Sequence, residues 1–146
     1  MTFFSCTMEL LRLNPFRLRI TDPLSTLQER RQAILTDFES GTVLPVFVIP
    51  NEFLLPNERE YFVFNGNKRT VIARELVRSI RAYIISTTEE LKVAQEQDPR
   101  FKLPLNLPLN YEVVMEHLYN RAQKFSKLDY QSAPIPFSEG LRRIRC

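Results

Sequence analysis

The sequence contains no tryptophan, one histidine, two cysteines and three glycines. Cys6 and Cys146 stand near opposite ends of the chain, without the spacing of a metal site. With His117 as the single histidine, zinc sites and histidine-based catalytic triads are excluded as explanations of function. No apolar run approaches the ~18 residues that a membrane span needs. We therefore expect a cytoplasmic protein with no membrane partner.

What the sequence does contain is typical of one globular domain. Its 146 residues are 44% hydrophobic and 25% charged, and they include eleven phenylalanines. That length suits one domain with a real core and is too short for two comfortable ones. The net charge of +3 is modest and does not by itself indicate a nucleic-acid or membrane partner.

The rest of the chain is organised around residues 61 to 69, YFVFNGNKR. Four aromatic or β-branched residues in a row predict a buried strand over 61 to 64. Asn65, Gly66 and Asn67 then predict a turn, and Asn67 is the expected N-cap of a helix. The helix has an apolar face and a face turned elsewhere that carries Arg74, Glu75, Arg78 and Ser79. The apolar positions are Val71, Ile72, Leu76, Val77 and Ile80.

Two cations fall in the first turn of this helix, where the macrodipole disfavours each by ~0.3–1 kcal/mol. A bound phosphate, sulfate or carboxylate would offset that cost, because free N–H groups at a helix start bind anions together with Lys68 and Arg69. Two alternatives are open. The cations are solvated, or they form an internal ion pair with Glu75 or Glu89.

Before this stretch, residues 8 to 20 alternate in part and predict an edge strand broken by Pro15. Asp22 and Pro23 predict the start of a helix that ends at Ser40 and Gly41. The apolar run from 44 to 49 predicts a core strand, followed by a loop over 50 to 60.

After it, residues 82 to 85 predict a third strand. Two overlapping capping boxes, Ser86 with Glu89 and Thr87 with Glu90, predict a helix to about Gln97. An extended proline-rich strap over 101 to 110, a helix beginning near Tyr111 and a loose basic tail complete the chain. The fold class is α+β, a small mixed sheet with packed helices. Residues 1–97 form the predicted domain, and 98–146 form an extension packed on it.

The order of these elements resembles the ParB N-terminal domain and sulfiredoxin superfamily over about residues 22 to 95. In that family a helix and a glycine precede a strand that starts at proline, as Gly41, Pro45 and Val46 do here. A second strand then leads through a glycine and a polar residue or two to a nearly constant arginine, which Arg69 matches. The resemblance implies a phosphate- or nucleotide-binding site. Its residues would be Asn65, Gly66, Asn67, Lys68, Arg69 and Thr70.

The chain departs from the family at two positions of the motif. Where sulfiredoxins read FGGCHR, residues 64 to 69 read FNGNKR, so Asn67 replaces the reactive cysteine and Lys68 the histidine. A cysteine-dependent sulfiredoxin activity is therefore not expected. Lys68 keeps a phosphate-binding charge but cannot shuttle protons near neutral pH, so nucleotide binding survives these changes better than catalysis.

The family suggests further activities. Its chromosome-partitioning members bind and hydrolyse CTP and continue into a DNA-reading helix-turn-helix, for which the residues after Gln97 offer too few helices. Specific DNA binding is not expected. Members that act as small-molecule kinases use an acidic base near the first strand, and Glu39 is the candidate here.

Two functions remain open. The first is binding of a nucleotide or phosphorylated small molecule, with or without Mg²⁺, and with hydrolysis or phosphotransfer as its chemistry. The second is a non-catalytic interaction module that docks a protein partner through its C-terminal extension.

Overall fold

The structure is a computed structural model that describes residues 8–53, 59–97 and 107–125. It confirms the predicted α+β class with a mixed sheet. The strands are β1 (Glu9–Leu13), β2 (Leu18–Arg19), β3 (Val46–Pro50), β4 (Tyr61–Asn65) and β5 (Ile80–Ile84). The helices are α1 (Leu27–Ser40), α2 (Asn67–Leu76), α3 (Thr88–Gln97) and α4 (Tyr111–Lys124), and a 3-10 turn occupies Pro15–Arg17.

The five strands form one sheet in the order β1-β5-β3-β4-β2. β1 is antiparallel to β5, and β3 is antiparallel to β4. β3 is parallel to β5, and β2 is parallel to β4. The predicted break at Pro15 is confirmed, and it does more than interrupt a strand. It carries the chain from one edge of the sheet to the other, through a turn that Asn14 begins by accepting the Phe16 N–H at 3.0 Å.

Helices cover both faces of the sheet. On one face, α1 and α2 bury Ile34, Phe38 and Ile72 against alternate residues of the strands. On the other face, α3 and α4 pack over the remaining strand residues. Phe62 and Val63 of β4 illustrate the alternation, because they are neighbours in sequence and belong to opposite cores. The buried strand predicted at 61 to 64 is therefore confirmed, with two dry faces.

Two helix boundaries were predicted wrongly, and the reason is the same in both. The first helix begins at Leu27 instead of Pro23, and Leu24 has a φ of 62°. The second ends at Leu76, where Val77 has a φ of 53° and donates its N–H to the carbonyl of Arg74 at 3.1 Å. Ile80, predicted on that helix, starts β5. Leucine and valine rarely adopt left-handed angles, so neither residue type signals a helix break.

The C-terminal extension is described only in part. The helix from Tyr111 is confirmed, and Asn110 caps it by accepting the Val113 N–H at 3.1 Å. Most of the strap and the basic tail lie outside the described residues, so the division at residue 97 stays a prediction. In the part of the chain that the structure describes, no helix is both long and apolar enough to cross a membrane.

Candidate functional site: a cleft at the start of α2

Gly66 joins β4 to α2 in a conformation that only glycine tolerates. Its φ is 111°, and an added Cβ would lie 2.3 Å from Cγ1 and 2.8 Å from Cβ of Val46. Both the backbone angle and the close approach to β3 therefore exclude a side chain. The turn predicted from Asn65, Gly66 and Asn67 is present, and it presses the start of α2 against the neighbouring strand.

The predicted cap of α2 was wrong. Gly66 is the N-cap, and no side chain caps this helix. Asn67 is instead buried, with its Oδ1 accepting the Thr21 N–H at 2.8 Å and its Nδ2 donating to Thr21 Oγ1 at 3.4 Å. The Thr21 hydroxyl in turn donates to the Val63 carbonyl at 2.6 Å. Asn67 therefore ties the segment after β2 to the sheet, and its amide is occupied within the protein.

Arg69 reaches across to the chain that leads into β3. Its Nη1 donates to the carbonyls of Leu44 and Pro45 at 3.0 and 3.1 Å, and its Nη2 donates to Asn65 Oδ1 at 2.8 Å. These acceptors are uncharged. Neither alternative given above, solvated cations or an ion pair with Glu75 or Glu89, includes such contacts. Glu75, one of the two ion-pair partners predicted, is bonded to Arg31 instead. Arg69 thus fixes the shape of the turn as well as contributing charge.

Thr70 and Lys68 differ in what they offer to a ligand. Thr70 is fully buried, and its hydroxyl donates to the Gly66 carbonyl at 2.9 Å within the first turn. Lys68 is half-buried, and no hydrogen bond or ion pair joins it to another described residue. Of the two, Lys68 is the group that can bind an anion.

The turn forms one wall of a cleft of about 340 Å³, a size suited to a small ligand. Residues of α1 form the opposite wall. The lining brings together the predicted positions 65 to 69, whereas Thr70 is not part of it. The full lining is Asp22, Thr26, Arg30, Ile34, Asp37, Leu44, Phe64, Asn65, Gly66, Asn67, Lys68 and Arg69.

The cleft carries charges of both signs. Arg30 joins Lys68 and Arg69 on the positive side, and Asp22 and Asp37 supply two carboxylates. Asp22 lies 3.6 Å from Nη2 of Arg121, an ion pair that is partly exposed. Three cations and two carboxylates thus belong to the same lining.

The structure places Glu39 away from this lining, on an exposed part of α1. Asp37 lines the cleft two residues earlier, which is about 200° around the helix. Sequence reasoning missed Arg30 and Asp37. They share a helix face with Ile34 at positions i, i+4 and i+7, and that spacing is the signal that could have found them.

Comparison with known proteins gives structural neighbours and no sequence relative. No protein-family model and no curated protein matches the sequence. Among solved structures the chain is similar to one titled "Structure of the C2221 form of Pnob8-like ParB-N domain", with 15% identity and a TM-score of 0.40. The similarity covers 91% of this chain and 52% of the other, so this chain spans about half the length of that structure.

Proposed function

We propose that the cleft at the start of α2 binds a phosphate group of a nucleotide or of another phosphorylated small molecule. One observation carries the proposal: the N-terminus of α2 has no side-chain cap, holds Lys68 and Arg69 in its first turn, and opens on the cleft. Backbone N–H groups and the helix dipole both favour negative charge at that place.

The two arginines of the cleft have different roles. Arg30, on the opposite wall, supplies a second positive group that a phosphate placed between the walls can reach. Arg69 is mainly a positioning residue, because its hydrogen bonds to Asn65, Leu44 and Pro45 hold the turn in shape. The direct contacts to an anion therefore fall to Lys68, Arg30 and the first backbone amides of α2.

Asp22 and Asp37 suit a magnesium ion that arrives with the phosphate. Mg²⁺ is commonly bound by one or two carboxylates together with phosphate oxygens and water. Within residues 8–53, 59–97 and 107–125 no group of three or more His, Cys, Asp or Glu side chains could hold a metal ion alone. The ligand's own oxygens would thus complete the coordination.

Hydrolysis or phosphotransfer would need a carboxylate inside the cleft to orient or deprotonate the attacking group. Asp37 is placed for this better than Glu39, because it lines the cleft and its Oδ1 accepts only a long hydrogen bond, 3.4 Å, from the Thr42 hydroxyl. Asp37 is therefore the group to substitute first if turnover is detected.

The test is a thermal-shift screen of nucleotides and phosphorylated metabolites, with and without Mg²⁺. A ligand at 100 times its dissociation constant adds about 2.7 kcal/mol of stability, which is readily measured. We expect Lys68→Ala to weaken binding by about tenfold or more, since charge-assisted hydrogen bonds contribute about 1.5–3 kcal/mol. Lys92→Ala is the matched control, because Lys92 is exposed on α3 and does not line the cleft.

Lys68 is a cleaner probe than Arg69, whose removal also breaks hydrogen bonds within the fold. A screen in which no compound raises the melting temperature would refute the proposal. Equal weakening by Lys68→Ala and Lys92→Ala would refute it too, because binding would then follow net charge alone. The interaction module would be the function left to test.

A further inference from the structure

A second cleft, of about 360 Å³, lies between the end of α1 and the start of β5. Among the described residues, three arginines line it and no carboxylate does. We call it the arginine cleft. Its lining is Arg12, Phe38, Gly41, Val43, Arg78, Ser79, Ile80 and Arg81, and it shares no residue with the lining of the cleft at the start of α2.

Two of these arginines lie opposite each other on neighbouring strands. Arg12 on β1 and Arg81 on β5 are direct partners in the antiparallel register. Like charges directly opposite each other on neighbouring strands destabilise a sheet. The fold therefore keeps an unfavourable pair at this position, and a bound anion would turn that repulsion into attraction.

The contacts of the three guanidinium groups do not neutralise them. Arg12 donates to Ser79 Oγ at 3.3 Å, Arg78 to the Phe38 carbonyl at 3.3 Å, and Arg81 to the Val43 carbonyl at 2.6 Å. All three acceptors are uncharged. The ion pairs found among the described residues join Arg17 to Glu60, Arg31 to Glu75 and Arg121 to Asp22, and so involve none of the three.

Hydrogen bonds to backbone carbonyls give two of the three arginines a structural role. Arg78 sits at the C-terminus of α1, where a cation interacts favourably with the last carbonyls, and its guanidinium also lies 5.9 Å from the centre of the Phe38 ring. Arg81 likewise donates to the Val43 carbonyl, but that bond does not account for a second arginine, Arg12, directly opposite it. Each guanidinium has five N–H donors, and each of these three uses one in the hydrogen bonds above.

We propose that the arginine cleft binds the phosphate group of a small soluble phosphorylated molecule, at a site separate from the cleft at the start of α2. Arginine suits a phosphate dianion because its planar fork donates two parallel hydrogen bonds. Ser79, partly buried in the same lining, adds a hydroxyl. A concave site of this volume fits a small ligand, whereas a nucleic-acid backbone is bound by an extended basic surface.

The experiment titrates the full chain with inorganic pyrophosphate at about physiological salt and follows backbone amide resonances by NMR. Gly41 and Ser79 are the reporters, because they line this cleft and not the other. We expect their shifts to saturate in the wild type. Arg12→Gln and Arg81→Gln should each raise the dissociation constant about tenfold or more, and the double variant should abolish saturation.

Arg30→Gln is the matched control, since it removes the same charge from the other cleft and should leave the dissociation constant read at Gly41 and Ser79 within about twofold. Without ligand, Arg12→Gln should melt at an equal or higher temperature than the wild type, because it relieves the repulsion between β1 and β5 and gives up only a long, exposed hydrogen bond. Arg81→Gln also loses the hydrogen bond to the Val43 carbonyl, so its melting temperature is not used as a readout. Stability and affinity then move in opposite directions, which a purely structural arginine would not produce.

Three results would overturn the proposal: reporters that pyrophosphate leaves unmoved in the wild type, equal weakening by Arg12→Gln and Arg30→Gln, or saturation by a DNA duplex but not by pyrophosphate. Arg12 is exposed and its hydrogen bond goes to a partly buried serine, so its single variant keeps the test decisive if the double variant fails to fold. The proposal for the other cleft is decided by how Lys68→Ala changes the ligand-induced melting shift, and this one by the NMR shifts of Gly41 and Ser79, so either cleft can fail without the other.

Discussion

Gly66 fixes the position of the cleft at the start of α2, and its substitution is the sharpest test of that geometry. Gly66→Ala should lower the free energy of unfolding by about 2–6 kcal/mol. The left-handed angle costs about 1–3 kcal/mol and the overlap with Val46 a similar amount. Gly41→Ala is the control, because Gly41 also has a positive φ, 72°, but nothing lies within 4 Å of an added Cβ.

Urea denaturation of both variants measures the difference. Gly41→Ala should cost about 1–2 kcal/mol, the backbone contribution alone. Equal losses in the two variants would mean that Val46 moves aside freely, and the close packing of the turn on β3 would then not hold.

Single residues also show where sequence reasoning stops. The turn at Gly66 was predictable because three neighbouring residues favour it. The roles of Asn67 and Arg69 were not, because Asn67 bonds Thr21, 46 residues away, and Arg69 bonds carbonyls 24 and 25 residues away. The same residue types occur in an anion-binding site and in a buried polar anchor. Only the hydrogen-bond partners in the folded structure distinguish the two roles.

Among the helices, α3 tests the predicted capping boxes. Thr87 Oγ1 accepts the Glu90 N–H at 3.1 Å, while the Glu90 carboxylate accepts the N–H of Ser86 at 2.6 Å. Of the two boxes, the one led by Thr87 thus forms, with its return bond one residue earlier than usual. Thr87→Ala should destabilise the protein by about 1 kcal/mol.

Ser86→Ala is the matched control for that variant, because Ser86 contributes its backbone N–H and the substitution keeps it. Its unfolding free energy should stay within about 0.5 kcal/mol of the wild type. Equal losses in urea denaturation would assign the cap to Ser86 and contradict the geometry at Thr87.

Elements were predictable where their signal is local. β3 and β4 follow continuous apolar runs, and α3 and α4 begin at side chains that cap them. α1 begins after Leu24 and α2 ends before Val77, and both residues have left-handed angles that their residue types disfavour. The predicted helices extended across both positions, because helical periodicity is judged from the pattern of apolar side chains and carries no information on backbone angles.

At the scale of the whole molecule, buried arginines hold the crossing between β1 and β2. Arg74, which helical periodicity placed away from the core, is fully buried. Its Nε donates to the Pro15 carbonyl at 3.2 Å, and its Nη2 donates to the carbonyl of Leu18. Arg59 donates to the Phe16 carbonyl between them at 2.6 Å. The crossing buries its carbonyls away from water, so they need donors from elsewhere in the fold.

Arg74→Met tests whether this anchor joins the two edges of the sheet. The side chain keeps much of its volume but leaves the carbonyls of Pro15 and Leu18 without these donors, at about 1–3 kcal/mol for each. We expect a total loss of about 2–6 kcal/mol by urea denaturation. Arg30→Met, on an exposed position of α1, should change stability by less than about 0.5 kcal/mol.

Hydrogen exchange then distinguishes a global anchor from a local one. β1 and β2 lie at opposite edges of the sheet, and the crossing is the short connection between them. If Arg74 holds that connection, amides of β1 and β2 should lose protection together in Arg74→Met, while amides of α4 on the opposite face keep theirs relative to global unfolding. Loss of protection confined to α2 would show that Arg74 stabilises its own helix and that the crossing is held by other contacts.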